Sequence, residues 1–543
     1  MPMQTVKTPF TNMTFTPDVP SSSLGANEYN FGQNVETDVR SIKSVLGDQY
    51  ILANITGNQI FVTSGFRAND VYWWIVATEQ GVWYAIDENG DIANITPPLG
   101  NFSGYNSSTV ITASWNGNVL FINDQLNPPM FLLPDNNLLY LYDNPPYNYV
   151  WNYDVGYDVS GNTTPLYSSL TAGFLRVYNS PNLGALLVAG NLTGTIAANV
   201  ATPTPGTIQN LPTTIRWSQN FGLNAGPTTW APTITNVANE LEVPVRGPII
   251  DGFSLNGNFY ICSYWDTVLM SPIAYQSSYA PVFGIKVVSQ GRGMINENCW
   301  AVVDNVAYGV DARDIWMFDG GTFTPIGDQT VKNYFYANLN SAYTNQIFMI
   351  NNTSKYQIEI YYPDLTSTGF CNQMLAYRYD LKVWQPPRQV SQATMATESP
   401  RILSGNINLA TRGVVYSTYN TNQNLVQKDI GTTFLGSSIT SLFQRNNISY
   451  GQPYSASVLV HRVLPEIYGT GNIQITIGGN NSVASPPTYQ STVTMPIVTD
   501  NPWVQIDQNE YRVITMKVGN TSSTDSWQLS AANWQVTVVQ DTH

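Results

Sequence analysis

The chain has little of what most enzymes depend on. Its 543 residues include three cysteines and two histidines, and charged residues make up 11%, against about a quarter in an ordinary soluble domain. Cys262, Cys299 and Cys371 lie far apart in the sequence and form no metal-binding pair. Catalysis by Ser-His-Asp, Cys-His or zinc would have to use His461 or the last residue, His543. We therefore expect no catalysis of these kinds, no metal site and no cofactor.

Positive charge is also scarce. The chain has 36 acidic residues against 22 Lys and Arg, for a formal net charge of -14, and its basic residues form no cluster. Because neutralising phosphates supplies most of the affinity for nucleic acids, we expect no specific binding of DNA. An acidic wall is nevertheless compatible with DNA that only slides past it.

Long apolar runs are missing as well. The first 16 residues have neither a basic region nor an apolar core, and no run of about 18 apolar residues follows. We expect neither a secretory signal peptide nor a membrane anchor.

What the chain does have is a repeated strand, turn, strand pattern with aromatic residues on the strands and Asp or Gly at the turn. One hairpin cannot bury its own apolar face, so repeated copies predict sheets that cover one another. Adjacent copies lie roughly 40 to 60 residues apart, which brackets a four-stranded propeller blade. The three clearest copies contain Trp83, Asp87 and Gly90; Trp316, Phe318, Asp319 and Gly320; and Tyr377, Asp380 and Trp384.

These patterns predict a mainly β protein with three parts. Residues 1–44 are expected to be an extended arm, with a short helix over 39–50. Residues 45–430 are expected to form a β-propeller of four-stranded antiparallel blades, with an insertion around 180–250. Longer alternating strands over 431–543 predict a C-terminal antiparallel β-sandwich-like domain. A pair of unrelated β-sandwiches remains an alternative to the propeller.

Two sets of residues are candidates for function. Glycoside hydrolysis needs only two carboxylates, although most of the acidic candidates sit where turns favour Asp; they are Asp251, Asp266, Asp311, Asp314 and Asp319. The second set is Tyr149, Trp151 and Tyr153, which follow Pro145-Pro146 without strand alternation. This segment is expected to be an exposed loop that contacts a partner.

Several hairpin segments follow one another in a distinctive order. The segments are 74–78, 81–86, 92–97, 215–218 with Trp230, 284–286, 314–320, 357–363 and 375–380 with Val383 and Trp384. Their order resembles the tail nozzle, or tail tubular protein B, family of short-tailed bacteriophages. The resemblance covers roughly residues 45–430 and is weaker in the last hundred residues. The N-terminal arm and the segment 195–210 have no counterpart.

The resemblance implies a propeller subunit that assembles as a ring, usually of six copies, below the portal and the adaptor protein. It supplies no catalytic residues. We therefore expect a non-enzymatic virion protein, made in the host cytoplasm, that continues the DNA-ejection channel and helps attach neighbouring tail proteins or fibres. Genomic DNA would pass without specific binding. The alternatives are a propeller that binds or cleaves host-surface glycans and, less favoured, a scaffold propeller that binds peptides.

Overall fold

The computed structural model describes residues 2–51, 55–67, 71–98, 100, 102–273, 282–400, 413–420, 425–450, 454, 456–483, 485–520 and 525–539. Strands make up 55% of the structure and helices 4%, which confirms the predicted mainly β class. None of the helices in these ranges is long and apolar enough to cross a membrane.

The first 50 residues form short strands and one 3-10 helix, Ser21–Ser23. The strands are β1 (Gln4–Pro9), β2 (Thr14–Phe15), β3 (Glu28–Tyr29), β4 (Phe31–Gln33), β5 (Val35–Asp38), β6 (Ser41–Ser44) and β7 (Asp48–Tyr50).

Two four-stranded antiparallel sheets and a separate hairpin follow. The first sheet contains β8 (Gln59–Phe66), β9 (Tyr72–Thr78), β10 (Trp83–Asp87) and β11 (Ile92–Asn94). A 3-10 helix, Phe102–Gly104, precedes the second sheet, which contains β12 (Thr112–Asn116), β13 (Val119–Asn123), β14 (Met130–Leu132) and β15 (Tyr140–Leu141). The hairpin contains β16 (Val155–Tyr157) and β17 (Thr163–Pro165).

Three more four-stranded sheets have the same up-and-down order. The third contains β18 (Tyr167–Ser180), β19 (Gly184–Ile196), β20 (Ile208–Trp217) and β21 (Asn239–Glu242). The fourth contains β22 (Ile249–Leu255), β23 (Asn258–Ser263), β24 (Asp266–Pro272) and β25 (Phe283–Gln290). The fifth contains β26 (Trp300–Val303), β27 (Val306–Val310), β28 (Ile315–Phe318) and β29 (Phe323–Pro325).

Helix α1 (Lys332–Asn338) and a 3-10 helix, Ser341–Gln346, lead to the sixth and seventh sheets. The sixth contains β30 (Phe348–Asn352), β31 (Gln357–Tyr362), β32 (Cys371–Arg378) and β33 (Val383–Trp384). The seventh contains β34 (Arg388–Ser399), β35 (Gly413–Thr418), β36 (Val426–Lys428) and, at its edge, β7. The sixth and seventh are continuous because β34 pairs with both β32 and β35.

The remaining strands lie beyond the seventh sheet. A small hairpin, β37 (Thr433–Phe434) and β38 (Ser437–Ser438), extends its edge. The others are β39 (Ser441–Ile448), β40 (Ser457–Thr470), β41 (Asn472–Asn480), β42 (Thr488–Tyr489), β43 (Val493–Pro496), β44 (Val504–Tyr511), β45 (Val513–Asn520) and β46 (Ser526–Val539).

The strands β39 to β46, together with β1, β4, β5 and β6 from the N-terminal segment, form two six-stranded sheets that share one core. Val463 and Trp534 belong to the sheet around β40 and β46, whereas Ile475 and Met516 belong to the sheet around β41 and β45, and all four are in the same buried cluster. That cluster continues through Phe10 and other N-terminal residues to the fifth and sixth sheets.

The N-terminal segment, expected as an extended arm, forms strands that pair with the C-terminal sheets. β1 pairs with β46 along its whole length, β5 and β6 complete the same sheet, and β4 pairs with β39 in the opposite sheet. The expected helix over 39–50 is also wrong, since β6 and β7 occupy this segment. A short amphipathic pattern does not form a helix here because strand edges more than 300 residues away supply its backbone partners.

The region expected as an insertion also differs from the prediction. β19, β20 and β21 all fall within 180–250 and are three of the four strands of the third sheet. The spacing between aromatic hairpins widens here because β19 has 13 residues and the connection from β20 to β21 covers residues 218–238.

Each of the seven sheets is covered on both faces by its neighbours. In β23, Phe259 and Ile261 pack with the third sheet, and the alternate residues Tyr260 and Cys262 pack with the fifth. Seven buried clusters join consecutive sheets in this way, and one of them joins the seventh sheet to the first through Val415, Trp74 and their neighbours.

Buried charges hold β7 in the seventh sheet. Asp48 on β7 is ion-paired with Arg388 and accepts a hydrogen bond from the Tyr416 hydroxyl at 2.8 Å. Asp429 is ion-paired with Arg388 and with Lys428, whose Nζ lies 2.9 Å from it. Burial opposes the ionisation of Asp429, but Arg388 and the neighbouring lysines outweigh it and hold its pKa well below the usual range.

Lys428 reaches a second carboxylate in the same cluster. Its Nζ lies 2.7 Å from Glu359 Oε1, and both side chains are fully buried. Removing one member of such a pair leaves an uncompensated charge in the interior.

We predict that Lys428→Met lowers the free energy of unfolding by about 3–5 kcal/mol, because it leaves the buried Glu359 carboxylate without its cation. Urea denaturation followed by tryptophan fluorescence measures this loss. The double variant Lys428→Met, Glu359→Leu should recover most of it.

Lys7→Met is the matched control because it removes an ion pair at the surface. Lys7 pairs with Glu466, and its side chain is 54% exposed. Its loss should stay below about 1 kcal/mol. Equal losses in Lys428→Met and Lys7→Met would contradict the importance of the buried pair.

Candidate functional site

A buried ion pair joins the first strands of the second, third and fourth sheets. Arg176 on β18 donates to Asp251 on β22, with Nε to Oδ1 at 2.9 Å and Nη2 to Oδ2 at 2.5 Å. The same guanidinium donates from Nη1 to the Ala113 carbonyl on β12 at 2.9 Å. The pair positions three strands with one bidentate contact.

The Asp251 carboxylate is saturated by further donors. Its Oδ2 accepts from the Trp300 indole at 2.9 Å and from the Asn298 backbone N–H at 3.2 Å, and its Oδ1 accepts from the Gly252 N–H at 2.8 Å. The Arg176 guanidinium also lies over the Trp300 ring, 5.1 Å from its centroid. A carboxylate with these partners fixes the backbone and side-chain donors around it.

Hydrogen bonds also join the second sheet to the residues that precede the fifth. Asn298 donates from Nδ2 to the Ile111 carbonyl at 3.0 Å, and Gln125 donates to Glu297 Oε1 at 2.9 Å. We call the set Gln125, Arg176, Asp251, Glu297 and Asn298 the central cluster.

The space beside the central cluster is nearly filled. Gln346 bridges it by donating to the Ser107 carbonyl at 2.9 Å. A cavity of about 30 Å³ lies here, lined by Glu297, by residues 109–111 just before the second sheet, and by residues of or next to the first, sixth and seventh sheets. Such a space suits a single water molecule rather than a ligand or a passage.

Glu297 is the titratable group in this space. Burial is the main cause that raises its pKa from 4.5 to about 7. The negative charge of Asp251 also raises this pKa, whereas the hydrogen bond from Gln125 lowers it. The fold therefore favours the protonated form of this side chain.

The other carboxylates considered for glycoside hydrolysis have structural partners. Asp266 is ion-paired with Arg246 at 2.5 Å, and Arg292 lies 3.2 Å from Asp311 and 3.7 Å from Asp314. Within the described ranges, no three His, Cys, Asp or Glu side chains are arranged to hold a metal ion.

The turn residues of the aromatic hairpins have local roles. Asp87 Oδ1 accepts from the backbone N–H groups two and four residues later, at 2.9 and 2.8 Å. Asp319 Oδ1 accepts from those two and three residues later, both at 2.8 Å, and these bonds lower its pKa. Gly90 and Gly320 have φ of +91° and +97°, a region that favours glycine. Asp380 instead pairs with Arg378, 2.6 Å away.

The aromatic members of these hairpins are buried in different inter-sheet clusters. The structure therefore does not bring the predicted hairpin residues together into one site. Trp83 lies between the first and second sheets, Trp316 and Phe318 between the fourth and fifth, and Tyr377 and Trp384 between the fifth and sixth.

The expected partner-contact loop is packed onto its own chain. Trp151 is fully buried, so its predicted exposure is wrong: its indole donates to the Leu170 carbonyl at 2.9 Å and its ring contacts Trp230, 4.7 Å between centroids. Tyr149 and Tyr153 are half-buried, and the Tyr153 ring lies under a guanidinium, that of Arg216. The loop lacks strand alternation because these long-range contacts replace a strand partner.

Sequence reasoning found one member of the central cluster, Asp251, but as a carboxylate for catalysis. It missed Arg176, Gln125, Glu297 and Asn298. The one available signal was Arg176 itself, a charged residue within the apolar strand Leu175–Tyr178, which indicates a buried partner.

No protein-family model and no curated protein matches the chain. Among solved structures, it is similar to the computationally designed protein Ika8, with a TM-score of 0.34 and 10% identity over 73% of this chain and 95% of that chain. A likeness of this size carries no argument about fold or function.

We predict that the Glu297 carboxyl makes stability fall as pH rises. Its folded pKa of about 7 lies above the ordinary value of 4.5, so its contribution is complete below about pH 4.5 and is lost as pH rises through 7. Glu297→Gln removes this dependence, and the variant should gain on the order of 2 kcal/mol relative to the original chain between about pH 4.5 and 8.

The measurement is urea denaturation of both proteins across this pH range. Glu36→Gln serves as a control, because the Glu36 pKa is lowered by Lys355 and Lys43 against the opposing effect of burial, so that its contribution is lost at acidic pH instead. Parallel pH profiles for Glu297→Gln and the original chain would contradict the assignment.

Proposed function

We propose that the seven sheets are the blades of a β-propeller. Three observations support this. Consecutive sheets share buried clusters, and the seventh shares one with the first. First strands lie side by side, as β12 does with β18 and β34 with β8. β7 pairs with β36 just before β8 begins the first sheet, so a strand from near the chain's start completes the last blade.

We further propose that the protein is a structural component of a phage tail. In this proposal it forms a ring, a homohexamer, that continues the DNA-ejection channel below the adaptor protein. The order of aromatic hairpins supports the family, and the scarcity of charge supports large permanent contacts, because amides and hydroxyls cost less to desolvate than ions.

The central cluster is the observation that carries this proposal furthest, because its hydrogen bonds tie several of the proposed blades to one another. A cavity of about 30 Å³ lies beside it. In this proposal the channel for DNA lies between copies of the chain and not through one copy. The net charge of -14 then suits a wall that DNA slides past.

We propose the third sheet as the main contact between copies. β18 and β19, with 14 and 13 residues, are longer than any described strand of the other six sheets, and the hairpin of β16 and β17 lies beside them. Four exposed apolar residues lie on this hairpin and on the third sheet beside it, a region that we call the projection: Val155, Tyr157, Val159 and Ile208. Single exposed apolar residues are ordinary, but four on one projection favour an interface.

The glycan-cleaving alternative has weaker support. It needs two carboxylates available to a substrate, whereas Asp251, Asp266, Asp311 and Asp314 are each within 4 Å of an arginine.

We predict that Tyr157→Asp prevents ring assembly, because it places a charge in the proposed contact. The chain and the variant are each mixed with the adaptor protein of the same phage, and negative-stain images and sedimentation velocity count the copies per ring. The original chain should form rings of six, and the variant should remain monomeric with an unchanged melting temperature.

Tyr468→Asp is the matched control, since Tyr468 is 64% exposed and Tyr157 is 59% exposed. It should assemble normally because it lies on the C-terminal sheets. Antibody against the chain should label the tail of intact virions. Label on the capsid wall or fibre tips would overturn the nozzle assignment, whereas rings formed by Tyr157→Asp would overturn only the contact.

A further inference from the structure

A cleft of about 410 Å³ opens between the fourth and fifth sheets and α1. The end of β25 forms one wall through Ser289 and Gln290, and three cationic side chains, Arg292, Arg313 and Lys332, form the others. Its size lies within the usual range for ligand clefts, about 300–1,000 Å³. Three converging cations are notable in a chain with 22 Lys and Arg in total.

The carboxylates of this region lie beneath the cations. The side chains of Asp311 and Asp314 are each 3% exposed, and Arg292 contacts both. Lys332 lies 3.4 Å from Asp314, so the two carboxylates are neutralised by two cations. Asp328 lies outside the cleft, 3.7 Å from Lys332 and 52% exposed, where water screens its charge.

Arg313 is the cation left over. Its side chain is exposed and, within the described ranges, no carboxylate lies within 4 Å of it. Its guanidinium instead lies over the ring of Trp265, 5.0 Å from the centroid. The cleft therefore presents one uncompensated positive charge beside an aromatic ring.

Trp265 is positioned to serve as a surface for a ligand. It is 37% exposed, and its carbonyl accepts from the Gly291 N–H at 2.8 Å, which ties its turn to the cleft wall. The neighbouring Tyr264 ring supports it edge-on, 4.7 Å away. The N-terminus of α1 is already occupied by the Asp18 carboxylate, so the positive charge of the cleft comes from side chains.

We propose that this cleft binds an acidic saccharide, a sugar that carries a carboxylate or a sulfate. The oxyanion binds Arg313 and Arg292, the apolar face of the sugar ring packs on the part of Trp265 that the Arg313 guanidinium leaves exposed, and Ser289 and Gln290 bind hydroxyls. Arginine forks match the geometry of carboxylates and sulfates, and exposed tryptophan offers the flat apolar surface that a sugar ring needs. This inference is independent of the nozzle assignment.

A nucleic acid is the less favoured occupant. Gripping a phosphate backbone requires several uncompensated cations along a track, whereas this cleft offers one. A single charge with one aromatic ring and nearby amide and hydroxyl groups fits one acidic sugar residue in a chain.

The test measures binding of the whole chain to three probes by isothermal titration calorimetry: trigalacturonate, 3′-sialyllactose and a heparin-derived tetrasaccharide. We expect at least one to bind and its carboxyl-methyl ester or desulfated form to bind at least about tenfold more weakly, as the loss of a charge-assisted hydrogen bond requires. Arg313→Gln should weaken binding of the acidic probe by about tenfold or more, and added salt should weaken it too.

Two further variants separate the contacts. Trp265→Ala should weaken binding of the saccharide while leaving any binding of inorganic sulfate unchanged. Arg40→Gln removes an exposed arginine elsewhere and should change nothing. Melting temperatures confirm that each variant is folded.

The proposal is overturned if none of the three probes binds, if the neutral forms bind equally well, or if Arg313→Gln binds as tightly as the original chain. The proposal is also overturned if oligo(dT) binds at least as tightly as the saccharides and Arg313→Gln abolishes that binding. This result would assign the cleft to nucleic acid.

Discussion

Every one of the seven sheets is apolar on both faces, and the rest of the structure depends on that constraint. In β23, alternate residues point to opposite sides and all are buried, one set against the third sheet and the other against the fifth. A sheet of this kind cannot end a stack, because its outer face would stay in water at a cost of about 25 cal/mol per Å². In the seventh sheet and the first, one buried cluster covers a face of each.

The seventh sheet contains a strand from near the start of the chain, β7, and buried ion pairs help to keep that strand in place. β7 precedes the first sheet in the chain but belongs to the seventh, where Asp48 meets Arg388 and Tyr416. Buried ion pairs add little net stability compared with apolar packing, but a broken one is costly. They therefore select the correct strand pairing against alternatives in which a charge would be left alone.

The pairing of charged side chains also bears on the proposed function. Many of the few cationic side chains are ion-paired with carboxylates, either in the interior, as Arg176 and Lys428 are, or at the surface. Hydrogen bonds of the central cluster join the second, third and fourth sheets and the residues that precede the fifth. Arg313 departs from the pattern, because it stands exposed beside Trp265 instead of beside a carboxylate.

The mainly β class, the places where hairpins turn and the aromatic residues that pack between sheets could be predicted from residue patterns. Alternation, Asx turns at Asp87 and Asp319 and the positive φ of Gly90 depend on residues within a few positions of one another. No local pattern predicted that the N-terminal strands complete the C-terminal sheets, that Trp151 is buried, or that Arg176 pairs with Asp251, 75 residues away. Those outcomes depend on which distant strands become neighbours, and local patterns carry no information about that choice.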